Sequence, residues 1–193
     1  MTESHDGSLW ENSLQQFQNR VAAGTPTPGG GAVATVTAVF AASLLRMVCV
    51  ISSARKPDVG MKAIAAKIKL CEEKLAQFAE EDIRAFERYL AARKARSTSA
   101  GADAQRCLIV CTEVPLAAAE AAAKLEAYAA EVALNSLDFL SSDVATARYL
   151  LDASRKALLE NVTINLANLE DGEAKRALVG RLERLQGDAP SGG

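Results

Sequence analysis

Four places in the chain carry residue types suited to chemistry. Gly29-Gly30-Gly31 follows Thr25-Pro26-Thr27-Pro28 and precedes a long apolar run. Three residues without Cβ at a helix start let a ligand approach the backbone, and the free N–H groups there favour an anion or an electron-rich group. Close packing of helices around a turn explains the triplet as well. It is not a phosphate-binding P-loop, because no Gly-Lys-Ser/Thr follows. Asp82 closes a Glu80-Glu81-Asp82 cluster and shares a helix side with Ala85, Phe86 and Tyr89. An acid on a semi-apolar face acquires a raised pKa and can serve as a general acid or base; a solvated acidic face is the alternative. Ser142-Asp143 places a hydroxyl and a carboxylate at a helix start, where they can meet a ligand or simply cap the helix. Arg55-Lys56 pairs two cations after the apolar run, fit to bind the carboxylates of an acidic tail or to stay solvated.

The elements that must position these residues read as helices. Ser8 can cap a first helix bearing Leu9, Leu14, Phe17 and Val21 on one face and ending near Gly24. The Pro/Gly turn cannot continue it. A second helix spans about Gly31 to Ser53, and Arg55-Lys56-Pro57-Asp58-Val59-Gly60 is a break after it. From near Met61, Ile64, Ile68, Cys71, Leu75 and Phe78 recur at helical spacing, and the pattern continues through Ile83, Phe86 and Leu90 to a loop at Ser97–Gly101. A short helix covers about Asp103 to Glu113, and Pro115 starts a new helix or kinks this one. After an irregular stretch from Asn135 to Ser142, the residues Val144, Ala147, Leu151, Ser154, Leu158, Val162 and Leu166 line one face of a helix. A charged helix from about Glu173 to Gln186 follows Asp171-Gly172. The expectation is an all-α, single-domain helical bundle of about six to seven helices over residues 1–193, with flexible tails at 1–7 and 187–193.

Composition agrees. The chain has 193 residues, enough to bury one sizeable core, and 49% are apolar while only 5% are aromatic. Alanine supplies much of the apolar share and has the best helix propensity. The net charge of -2 and the lack of a basic stripe argue against nucleic acid. The N-terminus has no signal-like basic and apolar regions, so the chain reads as soluble and cytoplasmic. The 17 uncharged residues from Gly29 to Leu45 approach the length of a membrane span, but they are rich in Gly, Ala and Thr. They read instead as a helix buried on all sides inside a protein or dimer core. Of the four cysteines, Cys107 and Cys111 share a helix face, as small buried residues or as a disulfide or metal pair. The only histidine, His5, lies in the polar N-terminal stretch, which leaves no histidine for a core metal site or a catalytic base.

Taken in order, these pieces resemble the formiminotetrahydrofolate cyclodeaminase and methenyltetrahydrofolate cyclohydrolase family. The likeness runs from about Leu9 to Leu185. It rests on Pro26-Thr27-Pro28-Gly29-Gly30-Gly31, on Asp82-Ile83-Arg84-Ala85-Phe86 as the family's Asp-x-x-Ala-Phe, on Val114-Pro115-Leu116, on Ser142-Asp143-Val144-Ala145, and on an Asn-rich closing helix from Asn161 to Leu169. The resemblance implies an all-helical homodimer that binds a tetrahydrofolate derivative near the Gly-rich turn. The family chemistry closes or opens the five-membered ring across two folate nitrogens, expelling ammonia or adding water, without a metal. By the same resemblance Asp82 is the first choice for the proton donor or acceptor. Asp143 comes second, orienting the pterin. Pro28, Gly29, Gly30, Gly31 and Ser142 contact the substrate, and Arg55 and Lys56 suit its glutamate tail.

The chain also departs from the family. Val50 stands where an Asn is usual, and Ser136-Leu137-Asp138-Phe139 replaces a Gly-Asn-x-Asn run. Leu and Phe supply none of the paired donors and acceptors of asparagine. Two further readings follow: the same scaffold acting on a less polar small molecule, or a non-catalytic helical assembly protein.

Overall fold

The computed structural model describes residues 7–55, 59–96 and 98–187. Among these residues six α-helices form: α1 (Leu14–Val21), α2 (Gly30–Arg55), α3 (Val59–Lys94), α4 (Ala100–Asn135), α5 (Ser141–Asn168) and α6 (Glu173–Gly187). Single 3-10 turns at Leu9–Glu11 and Asp138–Leu140 precede α1 and α5. No strand forms among the described residues, in keeping with the all-α expectation. The tails expected at residues 1–6 and 188–193 lie outside the described residues, while Gly187 closes α6.

Helices α2 to α5 make a ring in which each packs on the next, α5 closes onto α2, and α2 also touches α4 across the middle. The pairings run antiparallel. Ser43 and Arg46 of α2 meet Glu72 of α3, while Gly31 meets Asp82. Glu126 of α4 meets Arg155 of α5, and Cys111 meets Asn165. Small residues make this close packing possible: Ala38, Ala41 and Ala42 of α2 and Ala118, Ala122 and Ala129 of α4 are fully buried in one core with Leu45, Ile68, Leu75, Leu125, Leu151 and Leu158.

Three expectations needed correction. The first helix is two pieces, because Ser13 opens α1 with a capping box, taking the Gln16 N–H while the Gln16 side chain accepts from the Ser13 N–H. Ser8 instead caps the preceding turn and donates to Glu80 at 2.5 Å. The helix around Pro115 is not divided: α4 runs unbroken through it. The proline removes the donor for the Cys111 carbonyl, and the Asn165 side-chain amide of α5 supplies one at 2.7 Å. Finally, this chain alone does not bury α2 on all sides, so of the two expected settings, a protein core or a dimer core, the first fails. Phe40, Met47 and Val50 are 47%, 38% and 64% exposed. By length and composition alone α2 could cross a membrane, yet three other helices pack on it.

Candidate active site

At one end of the bundle, residues of α2, α3 and α4 gather around Asp82. The turn before α2 contains a cis Thr27-Pro28 peptide, and Pro28 is buried. Thr27 Oγ1 donates to Glu87 Oε1 of α3 at 3.0 Å, which ties the turn to the helix bearing Asp82. Gly29 O accepts the Val33 N–H at 3.1 Å, so α2 is under way from the Gly triplet onward.

Gly31 is buried directly beneath Asp82. A Cβ on Gly31 would lie 2.7 Å from Asp82 Oδ2 and 2.8 Å from its Cγ, closer than real contacts allow. Only glycine lets the carboxyl reach the helix start. There the Ala32 N–H favours the ionised form of Asp82, as the free N–H groups of a helix start do for a carboxylate. Gly30 differs: its nearest neighbour would be Asn161 Nδ2 at 3.9 Å, and the residue is exposed.

Burial pushes the Asp82 carboxyl up from 3.8 to about 6, against the smaller lowering effect of the Ala32 N–H. Asp82 therefore exchanges its proton close to neutral pH. The raised pKa agrees with its semi-apolar helix side, and its neighbours divide the labour of the acidic cluster. Glu80 accepts from Ser8 and from the Leu9 N–H, anchoring the N-terminal segment, while Asp82 points to the Gly turn. On α4, Cys111 is buried and its thiol is pushed up to about 12, first by desolvation and then by the Asp82 charge. It stays a neutral thiol at ordinary pH. Cys107 and Cys111 are both free, so the disulfide reading of that pair is not realised.

The other expected site residues stand at the opposite end of α2. Arg55 closes α2, with its guanidinium 4.7 Å over the Phe139 ring. Leu137 N–H donates to Ser52 Oγ at 3.3 Å, which brings the start of α5 to the same end. Ser142 is exposed and Asp143 half-buried in the first turn of α5, which has no side-chain cap: Leu140, not Ser142, stands at the N-cap. Lys56 lies outside the described residues. A cavity of ≈150 Å³ opens here between Ser136, Leu137, Asp138, Ser141, Val144 and Arg148, and Asp82 is not among its walls. The Gly31 and Ser52 levels are separated by roughly 30 Å along α2 at 1.5 Å per residue. Within one chain, then, the structure brings Pro28, Gly29, Gly30, Gly31 and Asp82 together, and places Arg55, Ser142 and Asp143 in a separate group. Among the described residues no three His, Cys, Asp or Glu side chains gather as a metal site.

Sequence reasoning missed Asn165 and the role of the Cys111 backbone. One signal was present: Pro115 stands four residues after Cys111, and a proline inside a helix strands the carbonyl four positions back. That Asn165 answers it is a tertiary fact with no local trace.

Comparison with known proteins places the chain among relatives of the same all-α fold. A family profile described as Formiminotransferase-cyclodeaminase matches residues 13–184. The chain is 30% identical over 192 residues to formimidoyltransferase-cyclodeaminase of Sus scrofa, covering 94% of this chain and 36% of that protein. It thus spans about a third of the pig protein's length. It is 25% identical over 187 residues to methenyltetrahydrofolate cyclohydrolase of Methylorubrum extorquens, covering 92% and 90% of the two chains. The crystal structure of formiminotetrahydrofolate cyclodeaminase from Thermotoga maritima superposes with a TM-score of 0.86 at 28% identity, over 93% of this chain and 91% of that one. With the profile covering most of its length and the four-helix ring shared with a solved relative, the chain belongs to the formiminotransferase-cyclodeaminase family.

Proposed function

We propose that the chain is a folate-dependent one-carbon enzyme, a cyclodeaminase or a cyclohydrolase, with Asp82 as the group that moves the proton. The single observation behind this is the Asp82 carboxyl, raised to about 6 and seated over Gly31 at the start of α2. Protonated, it can donate to nitrogen as ammonia leaves a formimino group and the folate ring closes. Ionised, it can take a proton from water as water adds to a methenyl bridge and the ring opens. One carboxyl titrating near neutrality serves both directions. The reading needs no metal ion. The names of the pig, bacterial and Thermotoga relatives support the substrate class.

The same reading takes the working unit to be a homodimer in the cytoplasm. Val33, Thr37, Phe40, Leu44, Met47 and Ile51 recur at alternating four- and three-residue spacing along α2, on the side that no other helix fully covers. A two-fold pairing of α2 with the α2 of a second copy buries this stripe. Run antiparallel, the pairing sets the Arg55 end of one copy beside the Asp82 end of the other, where Arg55, Ser142 and Asp143 reach the ligand that Pro28, Gly29, Gly30 and Gly31 hold.

The test is turnover of 5,10-methenyltetrahydrofolate and of formiminotetrahydrofolate by the purified protein, with Asp82→Asn beside it. Acceleration of one reaction is expected, with kcat lowered ~10²- to 10⁴-fold in the variant. Failure to turn over either substrate, together with no heat of binding for 5-formyltetrahydrofolate, would sink the folate reading.

A further inference from the structure

The carbonyl released by Pro115 lies at the level of the reacting carboxyl. Cys111 is buried among Ala85, Leu116, Val162 and Leu166, and Ala85 stands one turn after Asp82 on α3. The stretch of α4 that faces the Asp82 region is therefore the stretch that the proline deprives of a helical hydrogen bond. A carbonyl left bare in such a place is costly. Asn165 of α5 answers it with a direct bond of 2.7 Å. The neighbouring asparagines do nothing similar. Asn161 donates to Ala157 O and Asn168 to Ile164 O, each within its own helix. Of these three amides, only that of Asn165 joins two helices. α4 meets α3 on one side and α5 on the other, so a bond holding α5 to the Cys111 backbone also fixes the wall that Cys111 presents to α3.

We propose that Asn165 is a positioning residue for the site. By donating to the carbonyl that Pro115 releases, it locks α4 and Cys111 against the helix that carries Asp82, and so holds the carboxyl in its half-buried place over Gly31. The claim that this setting matters for turnover rests on the proposed role of Asp82. The claim that Asn165 and Pro115 act as a unit does not.

Four proteins decide the matter: wild type, Asn165→Leu, Pro115→Ala and the double variant, each measured for Tm and for kcat and KM. Leucine keeps the heavy-atom count and branching of asparagine and removes the donor. In wild type the Asn165→Leu change should lower Tm by roughly 5 °C. It should lower kcat about tenfold while KM stays within about twofold, because the displaced group is the reacting one rather than the ligand surface. In the Pro115→Ala background residue 115 has an N–H that can close the ordinary helical bond on Cys111 O. There the same Asn165→Leu change should cost under about 2 °C and under about twofold in kcat, by the same reckoning. Asn165→Gln retains an amide donor on a longer arm; it should recover most of the lost kcat, and it stands in if Asn165→Leu does not fold. Equal Tm losses in the two backgrounds would show that Asn165 does not act through the freed carbonyl. A Tm loss with unchanged kcat would reduce Asn165 to a structural peg. Either result overturns the proposal. An Asp82→Asn variant as active as wild type would instead overturn the proposed role of Asp82 and leave the Tm coupling to stand or fall alone.

Discussion

The Asp82 carboxyl of α3 occupies the space that a side chain at Gly31 of α2 would need, with Oδ2 2.7 Å from where its Cβ would stand. The identity of one residue thus decides whether the acid can reach the helix start at all. Gly31→Ala should cost about 1–3 kcal/mol through overpacking and strip the site of its activity. Gly30→Ala, with 3.9 Å to its nearest neighbour, should leave the fold as stable as wild type. Urea unfolding of the two variants side by side checks the contrast, and equal stability of both would contradict the contact.

Turnover should titrate with Asp82. With its carboxyl raised to about 6, kcat should show a midpoint near that pH. Activity rises above the midpoint if Asp82 acts as base and falls above it if it acts as acid. The direction of the limb therefore separates water addition from ammonia release. A flat profile between pH 5 and 8 would remove Asp82 from the rate-limiting step.

Stability should carry the opposite imprint. A carboxyl whose folded pKa is raised binds its proton more tightly in the native state. Its favourable contribution is complete below about 3.8 and is lost as the pH rises through about 6. Asp82→Asn removes a desolvated charge, so the variant should gain Tm relative to wild type at pH 8 and show little difference near pH 3.5. A gap of the same size at both pH values would refute the buried charge.

Arg55 lies over the Phe139 ring at 4.7 Å on the surface. Exposed contacts of this kind contribute about 0.5–1 kcal/mol, so Arg55→Ala should hardly move the unfolding midpoint. If the residue holds the acidic tail of the substrate, KM should rise about tenfold with kcat nearly unchanged. Steady-state kinetics with substrates of one and several glutamates would show the effect growing with tail length.

Away from the site, Arg155 is buried and its guanidinium donates to both Glu126 oxygens, at 2.9 and 3.1 Å. Its second acidic partner, Asp152, is more distant at 3.4 Å. Glu126→Ala leaves a buried cation poorly matched and should cost about 3 kcal/mol, read by chemical denaturation.

The helical period alone located much of this structure. All seven positions from Val144 to Leu166 assigned to the inner face of α5 are buried, as are Ile64, Ile68 and Leu75 on α3, because a repeating apolar face has only one way to meet a core. Asp82 was legible for the same reason, since it shares its side with Ala85 and Phe86. The failures were of another kind. Pro115 reads locally as a boundary, and the Asn165 amide that allows α4 to pass through it is 50 positions further along the chain. Arg55 and Ser142-Asp143 look like partners of Asp82 in order along the sequence, but a helix of 26 residues separates the two ends on which they stand. Sequence order gives no distance between the ends of a rod.

The alanines between α2 and α4 set how this bundle can change over evolutionary time. A core of leucines fails by hollowing, when a side chain shrinks and leaves a void. Ala38, Ala42, Ala118 and Ala122 have almost nothing to remove. They can only grow, and any growth drives two long helices apart along their length. Such a wedge in the middle of the bundle acts as a lever on α2, whose first turn makes the contact of Gly31 with Asp82 of α3. Variation in these inconspicuous positions should therefore surface as altered catalysis before it surfaces as unfolding.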